Sequence, residues 1–314
     1  MLNILLLISL VAFIILLSLF IPGNGKDPSY FASIIDKHKR LQNIPSPRII
    51  LIGGSGLAFG IKSKWIQQDL GLPVINMGVH AGFGLMYNMS EIKPYIGKND
   101  IIVIIPEYEN FLGTSFNGDE ESAYNFMNFP ENRKYTHSFK QYSAVLRHIS
   151  HALRSRLFNL VTGNRFVCTP DYNRKSFNQY GDSEAHLNKP SHFSGQAVGY
   201  EMNGEINKDV IPELNNFNDY VEKRGARAFF IYPALMDVQY IKNKKKIEMI
   251  SDALTRELKI PILSTPLDFV FPQTFFYDTV YHLTGAGRML RTQKVIQKLN
   301  SVRNQIFDGR RKVN

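Results

Sequence analysis

Among 314 residues there is one cysteine, Cys168. A single thiol excludes an intrachain disulfide, a cysteine-rich metal site and a dithiol redox pair, and its expected role is a buried free thiol. Such scarcity suits an oxidising compartment, where spare thiols are a liability. Nucleic-acid signatures are missing too: there is no zinc-finger spacing, no RNA-binding motif and no regular interleaving of basic and aromatic residues. The glycine-rich stretch Gly53-Gly54-Ser55-Gly56 lacks the Gly-Lys-Ser/Thr ending of a phosphate loop and the spacing of a dinucleotide fingerprint. His186 and His192 stand six apart with no identifiable further ligands, so neither a metal nor a cofactor is expected. No internal repeat or low-complexity tract occurs.

Charge is absent from Ile4 to Ile21, a run of eighteen residues that ends at Pro22-Gly23. That is long enough to span a bilayer core. No basic region precedes it and no small-x-small cleavage site follows, which favours an uncleaved anchor over residues 1–22 rather than a signal peptide. Residues 23–47 then read as a connector, helical from Asp27 to Asn43 and closed by Ile44-Pro45-Ser46-Pro47. Lys26, Lys37, Lys39 and Arg40 follow the span, and counted literally they would hold the large domain in the cytoplasm. The bias is small, and a long C-terminal domain can be translocated regardless.

What the sequence does contain is core and positive charge. The hydrophobic fraction is 44%, ample for a packed interior, and 37 Lys and Arg against 27 Asp and Glu give a net charge of +10. Such a charge favours anionic surroundings, although the clusters Lys242 to Lys246 and Arg310, Arg311 and Lys312 read as solvated surface. Five apolar runs, Arg48 to Ile52, Pro73 to Met77, Asp100 to Ile105, Arg227 to Tyr232 and Ile260 to Leu263, are separated by lengths that fit crossover helices. The pattern predicts a doubly wound α/β domain over residues 48–314. An insertion at about 110–205, rich in Asn, Tyr and Phe, is too long for a crossover and carries a helical pattern near Tyr142 to Leu160.

In such sheets ligands sit beyond the carboxyl ends of the strands. Ser55 falls there, in a glycine turn after the first strand, where a helix N-terminus favours developing negative charge. Capping is the alternative reading of that serine. A serine nucleophile needs a base and the base an orienting carboxylate. Tyr277-Asp278-Thr279-Val280-Tyr281-His282 supplies both after the last strand, with Asp278 and His282 four apart on one helical face and a helix expected from about Ala286 to Leu299.

With serine after the first strand and Asp plus His after the last, the chain resembles the SGNH (GDSL-like) hydrolase superfamily over about 48–112 and 227–299. The resemblance implies a three-layer αβα fold of the flavodoxin-like type with a central, mainly parallel five-stranded sheet. It matches Ser55 to the nucleophile, Gly78 in Asn76-Met77-Gly78 to the oxyanion glycine, and Asp278 with His282 to the terminal pair. Three departures stand out. Gly-Gly-Ser-Gly replaces Gly-Asp-Ser, Pro106-Glu107-Tyr108-Glu109-Asn110 stands where Gly-x-Asn-Asp is expected, and the terminal block is one residue longer than Asp-x-x-His. Asn110 is the available substitute for the oxyanion asparagine, since Glu107 donates only when protonated. His80, two residues past Gly78, is placed to contact substrate, and a literal Gly181-Asp182-Ser183 inside the insertion reads as a coincidence.

The tethered domain looks like envelope proteins that work beside membrane-bound O-acyltransferases and modify polymers outside the membrane with acetyl or D-alanyl groups. The resemblance therefore implies a bacterial, single-pass serine O-acyltransferase or esterase with its large domain periplasmic or extracellular. Its partners would be the membrane, an integral O-acyltransferase and a glycan or glycolipid acceptor. The alternative expectation is a catalytically inert binding or assembly subunit of a membrane complex.

Overall fold

Four short apolar runs form one parallel sheet in a computed structural model that describes residues 3–7, 9, 10, 13, 27–162, 169–192 and 200–307. The strands are β1 (Ile49–Gly53), β2 (Val74–Asn76), β3 (Ile101–Ile105) and β4 (Arg227–Phe230), in the order β2-β1-β3-β4. β1 and β3 are buried throughout, as β-branched runs covered on both faces should be. Their side chains alternate between two cores. Ile50, Ile52, Ile102 and Ile104 pack on one face, and Ile49, Leu51, Ile101, Val103 and Ile105 on the other. Each such isoleucine contributes roughly 1.5–3 kcal/mol of transfer free energy, so the central pair of strands is the most stabilised part of the sheet.

Helices cover both faces. α1 (Ser33–Asn43), α4 (Leu85–Ile92), α7 (Val210–Lys223) and α9 (Lys244–Glu257) supply Leu41, Met89, Leu214 and Ile250 to the first core. On the opposite face lie α2 (Ser55–Gly60), α3 (Ser63–Leu70) and α10 (Gly285–Ser301), which supply Leu57, Ile66 and Val295. The insertion contributes α5 (Glu120–Asn128) and α6 (Phe139–Thr162), joined through Ala123, Met127, Val145 and Ala152. A short strand pair, β5 (Leu235–Met236) and β6 (Val270–Phe271), a one-and-a-half-turn helix α8 (Asp237–Lys242) and a terminal turn α11 (Arg303–Phe307) complete the elements.

The fifth strand expected at Ile260–Leu263 is reduced to one bridge, Ile262 beside Phe230. Pro261 has no N–H to donate, and only its carbonyl, accepting from Phe230 N at 2.9 Å, and Leu263 N, donating to Phe230 O at 2.9 Å, tie the segment to β4. The main sheet therefore has four strands. Most of Ile4 to Ile21 and all of Cys168 lie outside the described residues; among those described, no helix is long and apolar enough to cross a membrane. The stretch read as a connector packs into the fold: Ile34 and Leu41 are buried, and Tyr30 donates to Val79 O at 2.8 Å. Buried Lys37 donates to Asn76 O at 2.9 Å and to Gly181 O. Burial pulls the Lys37 ammonium down to about 7, against the opposing pull of Asp182.

Gly181-Asp182-Ser183 is a structural knot. Gly181 has φ +93°, and a Cβ there would lie 2.3 Å from Asn76 O, so only glycine fits. Asp182 is fully buried and accepts from Ser63 N (2.8 Å), Ser63 Oγ (2.5 Å), Asn76 Nδ2 (2.9 Å) and Arg288 Nη2 (3.1 Å). It joins α3, β2, the insertion and α10. Asp182→Ala should therefore destabilise the fold by about 3–5 kcal/mol, because it takes the one buried carboxylate from the Arg288 guanidinium, leaving it Ile61 O, Ser183 O and the exposed Glu184 at 3.6 Å. Denaturant unfolding checks this, and a loss under about 1 kcal/mol, the value of an exposed pair, would refute it.

Candidate active site

The turn after β1 is shaped by what closes on it. A Cβ on Gly54 would lie 2.7 Å from the Ala81 nitrogen and 2.8 Å from Glu107 Oε1, and one on Gly56 would lie 3.0 Å from Glu107 Oε1. That is why an aspartate cannot stand before Ser55 here. Ser55 opens α2, and Glu107, presented by the loop after β3, accepts from the Gly56 amide at 2.5 Å and from Ser55 Oγ at 3.4 Å. Beneath the turn, the fully buried Arg291 of α10 donates to Gly56 O at 2.6 Å. Burial lowers its guanidinium to about 10, partly countered by the charge of Glu107, so it stays cationic at neutral pH.

Across the same cleft stands His282. Its Nδ1 lies 2.9 Å from Asp278 Oδ1, leaving Nε2 as the nitrogen available to the cleft. The pair meets as expected, but not on a helix face: residues 277–281 are a run of bends closed by the Phe276–Leu283 bridge and by Tyr277 N donating to His282 O at 2.8 Å. Asp278 is held twice, because the Tyr172 hydroxyl bonds Oδ2 and also sits 3.1 Å from His282 Nδ1. Burial pushes the Asp278 carboxyl up, but the hydrogen bonds from His282 and Tyr172 and the imidazole charge outweigh it and leave the group below its usual range. The His282 amide donates to Thr279 Oγ1 at 3.0 Å, and the imidazole stacks on Phe59 at 4.0 Å and 7° between planes. Carboxylate, hydroxyl and aromatic face together fix the ring.

Ser55, His80, Glu107, Asp278 and His282 line one cleft of about 430 Å³. Among the described residues no hydrogen bond links Ser55 to His282; the resting serine hydroxyl faces Glu107. The two expected oxyanion donors are occupied elsewhere. The Gly78 amide donates to Asn76 Oδ1 at 3.0 Å, and the glycine is required because a Cβ would sit 2.7 Å from Gly54 O. Asn110 is fully buried and donates through Nδ2 to Ala81 O at 3.1 Å, bracing the loop rather than reaching the cleft. With the Gly56 amide taken by Glu107, the other amides at the turn are that of Ser55 itself and that of Ala81, which abuts Gly54 and lines the cleft. His80 Nδ1 accepts from the Gly82 amide at 3.1 Å, so Nε2 carries the proton and lies 3.7 Å from Glu121 Oε1 at the rim.

Several of these contributors carried no sequence signal. Tyr172 lies in the insertion, more than a hundred residues from the pair it braces. Phe59 and Thr279 are ordinary neighbours of the motifs, whereas the close-set glycines were a readable sign that some other group presses on the turn. Among the described residues no group of three His, Cys, Asp or Glu is arranged to hold a metal ion. His186 is buried against Phe59 and Tyr277 and bonds Leu283 O at 3.0 Å. Burial depresses its imidazole to about 4.

Glu109 also lines the cleft, accepting from Tyr281 OH at 2.8 Å. Burial first, and the Glu107 charge second, push its carboxyl up from 4.5 to about 8. A raised carboxyl favours the folded state most below its unfolded value, and that contribution is lost as pH rises through the folded value. Replacing Glu109 with Gln should flatten the decline in thermal stability between pH 4.5 and about 8, as read by melting in a pH series. Parallel melting curves for wild type and variant would contradict the assignment. No protein-family model matches the chain, and no curated protein matches it.

Proposed function

We propose that the chain is a serine acyltransferase or esterase working through an acyl-Ser55 intermediate. The carrying observation is the placement of Ser55 and a fixed Asp278–His282–Tyr172 cluster around one cleft. Turned from Glu107 toward the imidazole, Ser55 Oγ attacks an acyl carbonyl while His282 Nε2 takes its proton. The tetrahedral oxyanion is met by the amides of Ser55 and Ala81, and its collapse expels the alcohol, which receives the proton from His282. A second hydroxyl, from water or an acceptor, then repeats the sequence in reverse and frees the serine. Asp278 and Tyr172 hold the imidazole in the tautomer that presents Nε2.

The wider reading follows the resemblance in the sequence. It takes the domain as an SGNH-type αβα fold tethered by residues 1–22 with its cleft outside the cytoplasmic membrane. There it works beside an integral O-acyltransferase on a cell-envelope glycan or glycolipid. The uncharged run Ile4 to Ile21 supports the tether. One observation favours the inert, assembly-subunit reading: Ser55 Oγ is bonded to Glu107, while Gly78 and Asn110 are committed to structural partners.

A serine-directed fluorophosphonate separates the two. Active protein should label at Ser55, lose labelling in Ser55→Ala, and lose about 100-fold or more of its rate in His282→Ala, the scale of general-base catalysis. Equal labelling of wild type and Ser55→Ala would sink the mechanism and leave the inert reading.

A further inference from the structure

The cleft is acidic although the protein is basic. Glu107, Glu109, Asp119, Glu121 and Asp278 line it, and among the described residues no Lys or Arg does and the ionisable nitrogens are those of His80 and His282. Two unit charges about 4 Å apart interact by roughly 4 kcal/mol at an effective dielectric of 20. A phosphate or carboxylate brought to Ser55 would meet repulsion of that order from Glu107, 3.4 Å from Ser55 Oγ, while Glu109, with its carboxyl raised to about 8, adds little charge at neutral pH.

Nor do these carboxylates await a cation, since each already has a partner. Glu107 takes the Gly56 amide, Glu109 the Tyr281 hydroxyl, Asp119 the Ser115 hydroxyl at 3.2 Å, and Asp278 the imidazole and Tyr172. Glu121 faces His80 at 3.7 Å. What the wall offers instead is hydroxyl chemistry. Tyr281 OH donates to Glu109 Oε2, so its oxygen accepts from Tyr200 OH at 3.1 Å, and the two rings meet edge-on at 6.1 Å. Such a chain can extend to hydroxyls of a bound molecule through the half-buried Tyr200, whose ring can also cover a C–H surface, with Glu109 and the buried Tyr281 behind it.

We propose that the cleft accepts an uncharged, polyhydroxylated substrate such as a neutral sugar residue, bound along Tyr200, Tyr281 and Glu109, and rejects anionic glycans. The proposal rests on the acyl-transfer reading for its chemistry and on the cleft lining for its selectivity, and the two can fail separately.

The test uses the full-length Ser55→Ala protein and three β-1,4-linked glucose-type tetramers of one shape: cellotetraose, its uronic-acid counterpart and the chitosan tetramer. Calorimetry at low salt should find cellotetraose bound, the uronate weaker by about tenfold or more (about 1.4 kcal/mol), and chitosan less than about tenfold tighter than cellotetraose. The gap to the uronate should close at about 0.5 M salt, as the Debye length shortens. The proposal is overturned if cellotetraose fails to bind at about 10 mM, if the uronate lies within about tenfold of it, or if chitosan exceeds it by about tenfold. Charge-selective binding with no fluorophosphonate labelling of wild type would sink catalysis alone. Labelling without charge discrimination would sink this proposal alone.

Discussion

Everything at the cleft follows from how closely Glu107 approaches the turn after β1. With its Oε1 2.5 Å from the Gly56 nitrogen, the turn tolerates no side chain on either side of Ser55. The glycines free the backbone but cannot hold it, so the carboxylate does: it ties the start of α2 to the loop after β3. Arg291 grips the same peptide from the other side through Gly56 O. One serine is thus fixed between a carboxylate above and a guanidinium below, on a strand end that is itself rigid because β1 is the buried centre of the sheet.

A second anchorage holds the imidazole. His282 depends on groups from three separate parts of the chain: Asp278 and Thr279 next to it, Phe59 on α2 and Tyr172 in the insertion. Phe59 belongs to the helix that begins with Ser55, so the stacking of its ring on the imidazole couples the positions of Ser55 and His282 directly. Asp182 supports this pairing from below, since its bonds to Ser63 and Arg288 lock α3 against α10. The insertion is therefore part of the scaffold as well as a wall of the cleft.

Much of this was legible from residue patterns. Buried parallel strands announce themselves as uninterrupted Ile and Val runs, and four of the five expected strands formed within two residues of the expected bounds. The fifth did not, because Pro261 removes a donor that a ladder needs, a local effect that an apolar count overlooks. The Asp278–His282 contact is expected from helical spacing, but residues 277–281 form bends closed by the Phe276–Leu283 bridge and the Tyr277 N to His282 O bond, so the pair meets across a loop and not along a helix face. The partners of Gly78 and Asn110 were not readable for a shared reason: sequence gives the type of a polar group but not whether a neighbour has already claimed it. The Asn76 side chain takes the Gly78 amide, and Ala81 O takes the Asn110 amide. Tyr172 could not have been found at all, because the loop that delivers it folds back over more than a hundred residues of chain.

The electrostatics of the turn bear on how an oxyanion could form beside Glu107. A carboxylate about 4 Å from a developing negative charge costs roughly 4 kcal/mol at an effective dielectric of 20, about what one well-placed oxyanion donor returns. Backbone amides at Ser55 and Ala81 alone would therefore do little more than break even. Two features reduce the deficit. The Glu107 charge is already drawn toward the Gly56 amide, and Arg291, cationic at neutral pH and buried directly beneath, interacts with it. Among the described residues its Nε and Nη2 have no hydrogen-bond partner, so beyond the Nη1 bond to Gly56 O its charge acts through the surrounding field. On this account the buried cation under the turn is what makes a carboxylate tolerable where an amide donor would otherwise stand, and the serine, the glutamate and the arginine act as one unit.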